Sequence, residues 1–238
     1  MKSRYLFDIG NSYVKLFRDR SNVKGEVHSF EHQKFLDAVQ NNFFKQDDEF
    51  VGISVVPSLD LSLKHLLKNR IKFLSVKDIP TLCFPNHIDT DQIGMDRVVS
   101  LFEAYSVFET ACCVIDSGTA TTITVIDSQG VYQGGVLLPG FEMTLKAFHT
   151  FTEKIPKVEL SAAEKLLATD TQGAVCSGLY FGFSCMLKGL IESITQKFPA
   201  CKIVGCGQGL EYIKEELDFD LFDPCLAIKG LRSLTKNI

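Results

Sequence analysis

An α/β protein of two similar lobes, each a mixed sheet with flanking helices, is predicted by three features of the sequence. A strand-turn-strand segment carrying D-x-G occurs at Asp8-Ile9-Gly10-Asn11-Ser12 and again at Asp116-Ser117-Gly118-Thr119-Ala120, 108 residues later. Each copy is followed by a third apolar strand and then by helical spacing, so a β-β-β-α order repeats. Between and after the copies, short apolar runs alternate with helix-like stretches, the pattern of a sheet with crossover helices. A chain of 238 residues has room for two small lobes, here placed at 1–109 and 110–238.

Taken in order, Tyr5-Leu6-Phe7 runs into the first D-x-G turn, Tyr13 to Phe17 returns as a strand, and Val23 to Phe30 supplies a third. Phe35, Leu36, Val39 and Phe43 recur at helical spacing. Val51 to Val56 is an apolar run stopped by Pro57, followed by a helix over Leu61 to Leu67 and another run, Ile71 to Val76. After a polar, irregular stretch, Gly94-Met95-Asp96-Arg97 opens a helix whose face carries Val98, Leu101, Phe102, Tyr105 and Phe108. The second half brings strands at Ala111 to Ile115, Thr121 to Ile126 and Val131 to Leu138, then a helix with Leu145 and Phe148. Ser161-Ala162-Ala163-Glu164 reads as a capping box opening a short helix. A long buried helix is expected over Thr171 to Phe198, then a strand at Lys202 to Val204, a glycine-rich turn and a helix around Leu210 to Leu217.

Composition narrows the function classes. With 45% hydrophobic and 23% charged residues, the chain can bury a real core. A net charge of −4 leaves no global positive field for nucleic acid or anionic lipid. No apolar leader is visible at the start, and the least charged stretch, Gly173 to Leu187, falls short of a membrane span. The eight cysteines contain no C-x-x-C pair and the five histidines no metal spacing, which favours reduced apolar fillers in a cytoplasmic protein. No G-x-x-x-x-G-K-[ST] cradle is present, and Gly205-Cys206-Gly207-Gln208-Gly209 is not followed by a dinucleotide fingerprint.

The paired D-x-G turns carry the chemistry. A glycine there lets backbone N–H groups approach an anion, and the hydroxyl of Ser12 or Thr119 adds a donor. Asp8 and Asp116, at strand ends, could bridge a hydrated cation to phosphate oxygens. Two such loops facing one another would clamp a nucleoside triphosphate. Lys15, on the return strand, offers a point charge to a β- or γ-phosphate. Asp96 could accept the proton of an attacking hydroxyl, while Arg97 holds a polar or anionic substrate.

With these motifs in place the chain resembles the bacterial type III pantothenate kinases, members of the actin-like and sugar-kinase-like ATPase superfamily. The resemblance rests on D-x-G-N-[TS]-x-x-K at Asp8 to Lys15, S-V-V-P at Ser54 to Pro57 and G-x-D-R at Gly94 to Arg97. It continues with D-x-G-T-A-x-T at Asp116 to Thr122 and G-G-x-x-x-P-G at Gly134 to Gly140. It implies two tandem ribonuclease-H-like lobes, a homodimer, and phosphorylation of the terminal hydroxyl of pantothenate by ATP in coenzyme A synthesis. By the same resemblance Asp96 is the general base, and Gly94, Met95, Asp96 and Arg97 line the pantothenate pocket. Asp8, Ile9, Gly10, Asn11, Ser12, Tyr13, Val14, Lys15 and Thr119 hold ATP. It further implies Mg2+ carried with ATP at Asp8, K+ or NH4+ at Asp116, and Thr171 reaching pantothenate across the dimer interface. His87 stands where the family usually has tyrosine, Asp89-Thr90 where it has Asn-Pro, and Gly205-Cys206-Gly207 where it has T-G-G. A non-catalytic regulator of the same fold, or a kinase for another small hydroxy acid, are the rival expectations.

Overall fold

Two five-stranded sheets with the same internal order make up the protein, as the repeated β-β-β-α pattern implies. The computed structural model describes residues 3–19, 26–41, 43–161, 163 and 165–236. The first sheet contains β1 (Arg4–Ile9), β2 (Tyr13–Asp19), β3 (Val27–Glu31), β4 (Glu49–Ser54) and β5 (Ile71–Phe73), in the order β3-β2-β1-β4-β5. β1 pairs antiparallel with β2 through the tight turn and parallel with β4 after a crossover. The second contains β6 (Cys112–Ser117), β7 (Ala120–Ile126), β8 (Tyr132–Pro139), β9 (Lys202–Cys206) and β10 (Leu221–Phe222), in the order β10-β9-β6-β7-β8. Reading each sheet from its third strand gives the same sequence of neighbours and senses, so the repeat is one of topology as well as of motif.

Helices α1 (His32–Gln40) and α2 (Pro57–Leu67) cover the first sheet. Strand alternation turns Phe7, Ile9, Val14 and Leu16 toward them, and Phe35, Val39, Leu59, Leu63 and Leu67 complete that core. Pro57 both stops β4 and starts α2, where its missing N–H is an orphan in any case. Next comes α3 (Met95–Phe108), with Val98, Val99, Ser100, Leu101 and Ala104 buried. The expected apolar face is thus shifted: Phe102, Tyr105 and Phe108 are half-buried, and a serine takes a core position. In the second lobe α4 (Phe141–Phe151) and α5 (Thr171–Lys197) lie over the sheet, with Ile115, Ile123, Phe141, Leu179, Phe183 and Leu187 at the centre of the core.

The chain divides into two compact units, residues Met1–Ser106 with Cys225–Ile238, and Val107–Pro224. The sequence places everything after residue 109 in the second lobe, whereas the C-terminal helix α6 (Leu226–Thr235), not foreseen, packs with the first. Leu226, Ile228 and Leu231 make its apolar face, Arg4 Nη1 donates to Thr235 O at 3.0 Å, and Arg232 pairs with Asp19 at 3.3 Å. Around Leu210 to Leu217 the expected helix is replaced by two 3-10 turns, Gln208–Tyr212 and Lys214–Glu216. The capping box involves Ala162 and Glu164, which lie outside the described residues, and 165–170 carry no helix.

By length and composition α5 could cross a membrane, with a mean hydropathy of 1.5 over 18 residues, more than its residue pattern suggested. Its buried stripe, Val175 to Leu187, belongs to the second sheet's core, and the opposite face exposes Gly178, Gly182, Cys185 and Gly189.

The eight cysteines are free thiols. Burial, then neighbouring Cys201 and Asp220, pushes Cys112 up to about 12. Burial and Asp220 push Cys201 up to about 11, and burial raises Cys113 as well. At pH 8 these thiols stay protonated and shielded, so iodoacetamide is expected to label exposed Cys83 in the folded protein and the buried three only after unfolding. Peptide mass spectrometry before and after denaturant checks this; labelling of native Cys112 would contradict it.

Candidate active site

Three motif segments of the first lobe meet at the carboxyl ends of β1 and β4. These strands are parallel neighbours that finish together, Ile9 beside Ser54. Beyond them Val55 N donates to Ile9 O at 3.0 Å, stitching the S-V-V-P segment to the D-x-G turn. In that turn Gly10 N donates to Tyr13 O at 3.0 Å, which leaves Asn11 and Ser12 exposed at the tip. His32 Nε2 lies 2.8 Å from Gly10 O; a carbonyl only accepts, so this nitrogen carries the proton. Nothing in the spacing of a lone histidine pointed to that brace.

Asp8 is the last polar residue of β1 and is 7% exposed. It sits directly opposite Lys15 in the β1–β2 register, so the two side chains share a sheet face about 5 Å apart at Cβ. A carboxylate this buried needs polar company, and an ammonium opposite supplies charge of the right sign.

The G-M-D-R segment joins this group. A Cβ at Gly94 would collide with Asp96 Oδ1 and lie 3.3 Å from Val55 Cγ1, so only glycine lets the α3 start close on the S-V-V-P segment with the carboxylate in place. Arg97 N donates to Asp96 Oδ1 at 2.8 Å, and Arg97 Nη2 reaches Gln92 O at 3.3 Å. One carboxylate oxygen is therefore held by backbone while Oδ2 accepts no bond among the described residues. Asp96 also stands in the first turn of α3, where the helix dipole favours the anion. Asp89, in the irregular stretch before, accepts from Asp91 N at 3.1 Å and Gln92 Nε2 at 2.8 Å, capping the turn Thr90–Gln92. His87 lies in the turn where Ile88 N donates to Pro85 O at 2.9 Å.

The second lobe repeats the arrangement with different closures. Asp116, next to last in β6, stands beside Cys206 of β9 and opposite Thr122 of β7. Gly118 N donates to Ala120 O at 3.0 Å in the turn, and buried Ser117 Oγ meets Thr121 Oγ1 at 2.7 Å. Two further segments converge here. Gly140, the N-cap of α4, donates its N–H to Thr119 O at 3.1 Å. Gly207, at φ +85°, lies so close that a side chain would strike the Asp116 carboxylate and the Ser117 carbonyl. The sequence flagged the Gly205 to Gly209 run as a turn; its approach to Asp116 is a fact of tertiary packing. Thr171 occupies the exposed first turn of α5, where Asp170 accepts from Gly173 N at 2.8 Å. It makes no hydrogen bond with the Asp116 group among the described residues.

Each lobe thus presents a strand-end carboxylate beside a tight glycine turn, a surface suited to phosphate and to a hard cation. Among the described residues no three His, Cys, Asp or Glu side chains form a metal cage. Single carboxylates fit an ion such as Mg2+, which keeps its waters and shares the phosphates of a nucleotide.

A family model described as type III pantothenate kinase matches residues 5–193. The type III pantothenate kinase of Endomicrobium trichonymphae is 32% identical over 199 residues, covering 82% of this chain and 76% of that protein. Among solved structures, a chain described as a conserved Baf family transcriptional activator from Campylobacter jejuni superposes with a TM-score of 0.67 at 21% identity, covering 98% of this chain and 97% of its own. A chain described as a 2-dehydro-3-deoxygalactonokinase protein from Sinorhizobium meliloti gives a TM-score of 0.60 at 9% identity, with 100% of this chain and 97% of its own covered. At such identities the structures speak for the fold alone, an α/β fold shared over nearly the whole chain.

Proposed function

The chain belongs to the type III pantothenate kinase family, and we propose that Asp96 is the base through which it performs that family's reaction. The reaction moves the γ-phosphoryl group of ATP to the terminal hydroxyl of pantothenate, giving 4'-phosphopantothenate, the first step toward coenzyme A. The observation that carries the assignment is the α3 start, where backbone fixes one oxygen of Asp96 and leaves the other available. As the hydroxyl oxygen bonds to the γ-phosphorus and the bond to the β-phosphate oxygen breaks, the hydroxyl proton passes to Oδ2. Phosphoryl transfer asks the protein mainly for position and charge neutralisation. Gly94, Met95 and Arg97 line the pantothenate pocket, the guanidinium facing the substrate's carboxylate. Asp8 to Lys15 and Thr119 bind ATP phosphates through turn N–H groups, hydroxyls and the Lys15 charge.

Asp8 would hold Mg2+ with ATP, and Asp116 would hold K+ or NH4+. When bound, these ions neutralise phosphate charge. Retention of Asp8, Asp96 and Asp116 together favours an enzyme over a non-catalytic regulator of this fold. Free thiols throughout support a cytoplasmic setting.

We further propose a homodimer in which Thr171 reaches the partner's pantothenate. The exposed small residues of α5 support it, since Gly178, Gly182 and Gly189 would let a second helix come close. Thr171→Val is expected to raise the pantothenate KM roughly three- to tenfold, the loss of one hydrogen bond, with little change in kcat or Tm. An unaltered KM removes Thr171 from the site.

The reading as a whole is tested by ADP release from ATP and Mg2+, with and without pantothenate and K+. Pantothenate-dependent, K+-stimulated release is expected. A folded protein without it would favour the regulator or another hydroxy acid.

A further inference from the structure

Helix α3 carries, besides Asp96, two polar groups with buried, unpartnered atoms that the reaction does not use. Ser100 is 1% exposed, and its Oγ has no hydrogen-bond partner among the described residues. Glu103 has a buried carboxylate oxygen, Oε2, in the same condition. Positions 96, 100 and 103 are spaced i, i+4 and i+7, so all three lie on one face of the helix. Helical side chains lean toward the N-terminus, which sends Glu103 back toward Ser100 and Ser100 toward Asp96.

Helix α6 packs on α3 beside Glu103. A Cβ at Gly230 would meet Val99 O at 2.6 Å and Glu103 Cβ at 3.2 Å, so α6 crosses α3 at this very turn. A fold that needed only bulk at position 100 would be served by alanine, which brings no hydroxyl to satisfy. Neighbours three or four apart on a helix stand about 5–6 Å apart at Cβ, a span that short side chains bridge through one water each. Buried polar groups in native proteins are almost always paired, with protein or with ordered water.

We propose that Ser100 and Glu103 are positioning residues that, through buried water, form a hydrogen-bonded file ending on the Asp96 carboxylate and hold it toward the substrate hydroxyl. The inference rests on Asp96 being the base. The backbone of Arg97 fixes that carboxylate from one side, and the file fixes it from behind.

The test is steady-state kinetics on the full chain with pantothenate and ATP. Ser100→Ala and Glu103→Gln are expected to lower kcat about tenfold, the scale set by small misplacements of a reacting group, with both KM values within about twofold. Ser100→Thr, which keeps the hydroxyl, is expected to restore most of the rate. Adding Ser100→Ala to Asp96→Asn is expected to cost nothing more, because the file acts only through Asp96. Asp60→Asn serves as the control: Asp60 on α2 also has a buried, unpartnered oxygen, Oδ1, and is expected to keep wild-type kcat. Wild-type kcat in both Ser100→Ala and Glu103→Gln, with Asp96→Asn inactive, overturns the file and leaves the base standing. Full activity in Asp96→Asn removes both. A tenfold loss in Asp60→Asn, or a Ser100→Ala loss that persists undiminished in the Asp96→Asn background, shows a general structural effect and also overturns it. Isosteric Glu103→Gln keeps the test decisive should Ser100→Ala fold poorly.

Discussion

Asp96→Asn is expected to lower kcat by about 10²–10⁴-fold, the usual contribution of a positioned general base, while leaving the fold nearly unchanged. The amide is isosteric, and its carbonyl oxygen can still accept the Arg97 N–H that now bonds Oδ1 at 2.8 Å. What it loses is the ability to take the hydroxyl proton. It also loses the negative charge in the first turn of α3, about 0.3–1 kcal/mol of dipole interaction. That corresponds to a Tm shift of about 1–4 °C in a chain of this size. The KM values for ATP and pantothenate should move little, because the neighbouring Gly94, Met95 and Arg97 remain. ADP release and thermal melts on the same sample check both halves. Unchanged turnover would remove Asp96 from the chemistry, and a collapsed Tm would show its role to be structural.

Gly207→Ala carries the largest expected cost to stability. The residue sits at φ +85° and ψ 148°, a region that side-chain-bearing residues enter at about 1–3 kcal/mol. Its new Cβ would also strike the Asp116 carboxylate and the Ser117 carbonyl, and overpacking of that kind costs about 1–3 kcal/mol more. Taken together the Tm should fall by roughly 10 °C. Turnover should fall further than stability alone explains, since the displaced group is the Asp116 carboxylate assigned to the cation. Gly118→Ala provides the contrast: it lies one turn away, and a Cβ there meets nothing within 4 Å. Its Tm should stay within about 2 °C, as an uncrowded surface change does. Equal Tm values for the two variants would sink the claim that the Gly207 contact is tight.

The candidate site was legible to unequal degrees. The D-x-G turns were visible because a strand, a tight turn and a return strand leave a short-range signature: alternation, a glycine, then alternation again. Asp96 at the start of α3 was visible for the same reason, as helix starts are marked locally by charge and by the first apolar face. Gly140 and Gly207 were not legible as partners of Asp116, because their role comes from segments about 24 and 91 positions away in sequence being packed onto one strand end. Ser100 was invisible in another way. A serine in a helix reads as surface, and only the packing around α3 leaves it 1% exposed.

From local pattern alone follow the repeated β-β-β-α unit, the two carboxylate turns, the G-M-D-R helix start and the family they mark, since each depends on residues within a few positions of one another. Tertiary structure alone decided that α6 returns to the first lobe, that 3-10 turns stand where a helix was expected after β9, and which glycines close on Asp96 and Asp116. It also decided that α3 buries a serine hydroxyl and a carboxylate oxygen with no hydrogen-bond partner among the described residues. The reason is that amphipathic periodicity says only that a face will be covered. Which element covers it is settled by how the whole chain shares out its apolar surface and its hydrogen bonds.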